Sequence, residues 1–204
     1  VSNVENMYNM FYLAQSFNQY LNSWDVSSVV NMSAMFSGAS VYNQPLSGWD
    51  VSNVIDMDFM FREANAFSQP LTLWDVSSVT SMERMFYGAN IFNADISSWD
   101  VSSVVNMSSM FSYASYFNQD ISSWDLSNVT DMQFMFYSAD SFNQDVSTWD
   151  VSSVTDTRYM FNFATNFNQD LLGWVVSQVT NCSAFSDNTP AWTLPKPNFT
   201  NCTP

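Results

Sequence analysis

Histidine is missing altogether, and only Arg62, Arg84, Arg158 and Lys196 among the 204 residues are basic. The first absence removes the commonest general base and metal-ligating side chain. The second removes the clustered cations that neutralise phosphate, so neither nucleic acid nor anionic lipid suits this chain as a partner. Against those cations stand 19 acidic residues, for a formal net charge of −15. No apolar run approaches the ~20 residues needed to span a bilayer as a helix, so no transmembrane segment is expected. No secretory signal is present, and the chain opens at Val1, so it reads as a mature or excised segment. Cysteine occurs twice, as Cys182 and Cys202, both in an atypical C-terminal stretch. Two cysteines confined to one terminal cap predict a disulfide formed in an oxidising compartment.

What is present is apolar and periodic. Hydrophobic residues make up 47% and aromatics 17%, enough for a core and too much for general disorder. From Val1 the chain repeats every 25 residues as V-S-x-V-x-[DNS]-M-x-x-M-F-x-x-A-x-x-F-N-Q-x-L-x-x-W-D, through seven full units and a truncated eighth. Such self-similarity marks a stacked array, because one unit cannot bury its own apolar face. Within a unit, Val, Met, Met, Phe and Ala fall at positions 4, 7, 10, 11 and 14, the stripe of an amphipathic α-helix. Short polar residues before the stripe suit a helix N-terminus. Positions 18 to 22 are too short for a second helix and predict a brief strand ended by a Trp-Asp turn. The expected fold is therefore α/β, a leucine-rich-repeat-like solenoid of strand-turn-helix units, curved with its sheet inside. A wholly β solenoid is the alternative. The solenoid covers 1–185, and 186–204 form a C-terminal cap tied by a Cys182–Cys202 disulfide.

Units such as "VSSVVNMSSMFSYASYFNQDISSWD" and "LSNVTDMQFMFYSADSFNQDVSTWD" resemble the 25-residue repeat of bacterial surface proteins related to the BspA-like leucine-rich repeats. The tail "CSAFSDNTPAWTLPKPNFTNCTP" resembles the terminal cap of such arrays in Bacteroidetes-type bacteria. The resemblance implies an exported protein concerned with adhesion and protein contacts, not catalysis. The last two units depart from the pattern, with Val175 for Asp and Thr157 and Cys182 for Met, as befits a stack being terminated.

The acids recur once per unit, so no pair has the distinct environments that would separate an acid from a base, and no enzyme is expected. Asp25, Asp50, Asp75, Asp100, Asp125 and Asp150 form one column. Stacked carboxylates need hydrogen bonds or cations between them. Asx-type turns to the following Ser are the expectation and calcium the alternative; no other cofactor is implied. A column of Asn18, Asn43, Asn93, Asn118, Asn143 and Asn168 predicts an amide ladder between neighbouring units. The Trp column is expected to fill the stack. Contacts are better sought where units differ: Tyr8, Tyr12, Phe59, Tyr87, Tyr113, Phe134, Tyr137, Tyr159 and Phe163 sit on the helix face away from the core. N-glycosylation sequons occur at Asn31, Asn106, Asn128, Asn181, Asn198 and Asn201.

These observations predict a non-enzymatic, extracellular or cell-surface repeat protein that contacts protein or glycan on a host, matrix or neighbouring cell. The alternatives are a structural subunit of a fibre or surface layer, self-assembling end to end or side by side, and a glycan-binding module. An apolar N-terminal end without a polar cap would call for an upstream segment or another subunit.

Overall fold

The computed structural model describes all 204 residues and contains neither an α-helix nor any strand longer than a single residue. Seven parallel one-residue bridges, from Asn6–Asn31 to Asp156–Asn181, join eight successive coils in register, residue i always meeting i+25. Coil 1 is residues 1–25, coil 2 is 26–50, and so on.

The expected α/β architecture is overturned by where the backbone hydrogen bonds go. In a helix the Met7 carbonyl would accept from the Phe11 N–H, four residues on. Here the Met7 carbonyl accepts from Met10 N–H at 3.2 Å, while Phe11 N–H donates to the Met35 carbonyl of the next coil at 2.8 Å. Asn9 and Leu13, the third residues of the turns 7–10 and 11–14, have φ of 59° and 56°. That is the mark of type II turns. Consecutive turns of this kind also bring positions 7, 10, 11 and 14 to one side, so they imitate the helical stripe. The window is also rich in Ser, Asn, Asp, Phe and Tyr, which are weak helix formers.

The strand expected at positions 18 to 22 is missing for a related reason. Neighbouring coils are joined there by side chains instead of a backbone ladder, with Asn18 Oδ1 accepting from Asn43 N–H at 2.9 Å and Asn118 Oδ1 from Asn143 N–H at 2.9 Å. The amide ladder is therefore as the Asn column suggests, broken where Ser68 stands in the slot. The wholly β alternative fails with the strand, and with neither sheet nor helices the expected curvature about an inner sheet loses its basis.

All sixteen left-handed residues fall at positions 9 and 13, two per coil, and only Gly38 and Gly88 among them are glycine. A residue with a Cβ in this conformation costs about 1–2 kcal/mol. Ser138, with φ 53°, is such a residue. Ser138→Gly is expected to stabilise the chain by about 0.5–1 kcal/mol, the relief of strain outweighing the added chain entropy. The reverse change at Gly38 is expected to destabilise, because a Cβ there would lie 2.6 Å from Leu13 Cδ2. Urea midpoints of the two variants check both signs.

The core is a set of columns, one ring or methyl per coil. Phe36, Phe61, Phe86, Phe111 and Phe136 stack face to face at 5.6 to 5.8 Å. A second ring column runs beside it, as in Phe86–Phe92 at 3.8 Å. The tryptophans close the third side, and each Nε1 from Trp49 to Trp174 donates to a carbonyl 28 residues earlier, as Trp124 does to Ile96 at 3.2 Å. The Trp of the Trp-Asp pair thus satisfies its one polar atom while filling the stack. Trp192 occupies the ring slot of the eighth coil and Phe185 its second Met slot, both buried.

Candidate binding face

Because the type II turns send positions 7, 10, 11 and 14 inward, positions 8, 9, 12 and 13 face outward together. The nine aromatics expected to make contacts all occupy these slots, on a face of turns and not of helices. Tyr8, Tyr12, Tyr113 and Phe163 are exposed; Phe59, Tyr87, Phe134, Tyr137 and Tyr159 are half-buried. Six of them pack on one another across coils. Tyr87, Tyr113, Tyr137 and Phe163 form an edge-to-face ridge at 5.2 to 5.8 Å. Phe134 stacks on Tyr159 at 4.7 Å.

Sequence reasoning missed the arginines, which look scattered along the chain. Taken modulo the repeat, Arg62, Arg84 and Arg158 fall at positions 12, 9 and 8, so all three lie on this face. The guanidinium of Arg62 lies 5.5 Å from the Tyr87 ring centre, and that of Arg84 lies 5.4 Å from that of Phe59. Each also meets an adjacent acid, Arg62 with Glu63 at 2.7 Å and Arg84 with Glu83 at 3.2 Å. Arg158 is held by Gln133 and by Asp156 at 3.4 Å.

Where coils 2 and 5 carry small residues the face dips. One depression of about 400 Å³ is floored by Ser33, Ala34 and Ser37 and walled by Tyr8, Tyr12, Phe59 and Arg62. Another of about 250 Å³ lies over Ser109 and Ser112, between Arg84, Tyr87 and the Phe134–Tyr137 pair. A central cup of about 390 Å³ is walled by Phe59, Arg62, Arg84 and Tyr87. The depressions share wall residues and lie in a row, a trough of three dips over coils 1 to 6.

The Asp column lies elsewhere on the coil. Asp25 Oδ1 accepts from Ser27 N–H at 3.2 Å and Ser27 Oγ at 2.7 Å, and Asp50, Asp75 and Asp100 do the same with their own Ser. Asp125 and Asp150 accept the Ser127 and Ser152 N–H at 3.0 Å. No three His, Cys, Asp or Glu residues are grouped to hold a metal ion. These turns hold the carboxyls of Asp25, Asp75, Asp100 and Asp150 below the usual carboxylate range, chiefly through the Ser hydroxyls. A second column, Asp95, Asp120 and Asp145, is lowered chiefly by backbone N–H donors. Asp58 and Asp131 are raised by burial.

A carboxyl lowered by folding stabilises above its unfolded pKa, and that contribution is lost as pH falls through the folded value. A raised one opposes folding at neutral pH and is relieved on acidification. The melting temperature is therefore expected to hold or rise slightly from pH 7 to about 5 and to fall below about pH 4. Circular dichroism melts at a series of pH values check it, and Asp58→Asn should flatten the rise.

Most sequon amides are already used between or within coils. Asn31 and Asn181 donate to Asp56 and Asp156 at 3.1 Å, Asn128 to the Ser102 carbonyl at 2.8 Å and Asn201 to that of Ser177 at 2.6 Å. Asn106 Oδ1 accepts the Ser108 N–H at 2.9 Å, whereas Asn198 is exposed. The sulfurs of Cys182 and Cys202 are bonded at 2.06 Å.

Fold and face together define a solenoid repeat protein built of turns around an aromatic ladder. The chain belongs to the family described as "Mycoplasma protein of unknown function, DUF285", whose model matches residues 1–99 and again 90–195. No curated protein and no solved structure gives a significant match. No helix is long and apolar enough to cross a membrane.

Proposed function

We propose that this chain is an extracellular or cell-surface repeat module of the BspA-like kind, not an enzyme, and that it mediates adhesion through its turn face. The observation that carries this reading is the use of the left-handed slots. Phe59, Arg84, Tyr113, Phe134, Tyr159 and Phe163 all have positive φ. Glycine fills position 13 at Gly38 and Gly88, and Ala34, Ser109 and Ala184 fill position 9, so the fold does not require large side chains in either slot. Strain kept where a smaller residue would serve points to use of the side chain. The disulfide supports an oxidising location.

The test is adhesion of beads coated with the chain to epithelial cells and to extracellular matrix. Replacing Tyr8, Tyr12, Tyr113 and Tyr137 by Ser should reduce retention several-fold with little change in melting temperature. Unchanged retention would reject the face. The ridge also suits side-by-side self-assembly, which sedimentation at increasing concentration detects, with the same variant returning to monomer. The Asp columns are proposed to work without calcium, so a chelator should leave the melting temperature unchanged.

A further inference from the structure

We propose that the trough binds carbohydrate, specifically a neutral sugar chain laid along the stack with its central residue in the cup between coils 3 and 4. The proposal rests on the reading of this face as the contact surface and names its ligand.

Charge narrows the ligand first. Arg62 and Arg84 in the cup are each matched by an adjacent Glu, at 2.7 and 3.2 Å. The cup therefore offers an anion no net positive charge, while the chain as a whole carries −15 and repels polyanions. A basic partner would be drawn to the Asp columns, not to the one face that holds the arginines. An apolar peptide needs contiguous apolar surface, and the cup is walled as much by Arg62 and Arg84 as by the Phe59 and Tyr87 rings. What remains is a neutral ligand with an apolar face and a rim of donors and acceptors. A pyranose has both.

The geometry fits the same ligand. Phe59 and Tyr87 line the cup from adjacent coils, each with a guanidinium over its ring. Each guanidinium has more N–H donors than its Glu contact uses, and each Glu keeps free lone pairs, so a pair can meet vicinal hydroxyls as donor and acceptor at once. The small residues that floor the depressions on either side, Ser33, Ala34 and Ser37 or Ser109 and Ser112, leave room for the flanking sugar residues. Coils joined by parallel backbone bridges advance about 4.8 Å each, of the order of one pyranose in an extended chain. The three depressions lie in a row along the stack, which suits a chain better than a single enclosed sugar. Phe59 and Arg84, in contact across coils 3 and 4, both hold left-handed conformations at φ 58° and 52°.

The experiment is calorimetric titration of the intact chain with cellohexaose, chitohexaose and mannohexaose, and with hexagalacturonate as the acidic comparison. At least one neutral hexasaccharide should bind, more than tenfold tighter than its own disaccharide and than hexagalacturonate. Phe59→Ala with Tyr87→Ala should weaken it about tenfold, as expected for losing two ring contacts. Phe59→Gly should also weaken binding while keeping the melting temperature, because it removes the ring and the strain together. Tyr116→Ala, an exposed aromatic outside the face, should change nothing. Binding by none of the neutral oligomers, equal binding of the acidic one, or an equal loss in Tyr116→Ala overturns the proposal. If the sugars fail but the face variant still abolishes adhesion, and adhesion survives enzymatic deglycosylation of the cells, the contact face stands and its ligand is a protein. If adhesion is unaffected as well, both readings fall.

Discussion

Phe111→Ala is expected to cost about 3–5 kcal/mol, the range for deleting a fully buried aromatic side chain. Phe111 is 0% exposed and touches the columns on every side. Its ring centre lies 5.8 Å from Phe86, 5.7 Å from Phe136, 3.9 Å from Phe117 and 6.3 Å from Trp124. In a stack, each coil contacts only its neighbours, so the loss falls on the interfaces of coils 4–5 and 5–6. The array should then unfold in two steps instead of one, its halves no longer coupled. Phe11→Ala removes the same side chain from coil 1, where Phe11 is only half-buried. That variant should cost less and leave unfolding in one step. Urea titrations followed by tryptophan fluorescence and by circular dichroism decide the matter. Coincident curves for Phe111→Ala with a loss below about 1 kcal/mol would show that the columns do not couple the coils.

The contrast between these two phenylalanines bears on what could be read from the sequence. That both fill one inward slot was legible, because period 25 and the identity of the residue at each slot need no backbone geometry. So was the Asn ladder, since stacked amides at fixed register have few other partners. The helix was misread because inward positions at i, i+3, i+4 and i+7 are shared by an α-helix and by two type II turns in tandem. Only the backbone separates the two, through left-handed residues at positions 9 and 13. A hint existed. Gly38 and Gly88 share one slot, and neither the window's Ser and Asn nor its aromatics favour a helix.

The binding face shows the same division. Outward aromatics such as Tyr113 were legible from the pattern. The grouping of Arg62, Arg84 and Arg158 was not, because distance along the chain hides what the register brings together. The depressions over Ser33 and Ser109 depend on which coils carry small residues beside large ones, and so on the register as well.

Opening the Cys182–Cys202 bond is the second large effect expected, about 3 kcal/mol for a loop of its size, which spans 20 residues. The loss should be local. Beneath the bond lie Phe185 and Trp192, 1% and 6% exposed, which end the ring columns. Phe199 packs on Phe185 at 5.0 Å, and the Lys196 ammonium lies 5.2 Å from the Trp192 ring centre. Thr193 and Leu194 N–H both donate to Asn168 Oδ1, at 2.8 and 3.0 Å, continuing the amide ladder one rung into the cap. Once the tail from Phe199 to Cys202 is released, these contacts alone must cover the last coil, and amides of coils 7 and 8 should exchange with solvent well before those of coils 3 to 5. Hydrogen exchange with and without reductant shows the gradient. Cys182 occupies the slot that holds Met in coils 1 to 6, so the cost has two separable parts. Cys182→Ser with Cys202→Ser loses both the cross-link and the buried apolar group. Cys182→Met with Cys202→Ser keeps the slot filled and should recover about 1 kcal/mol of the difference. Uniform exchange along the chain after reduction would mean that the bond supports the whole stack and not its last coils.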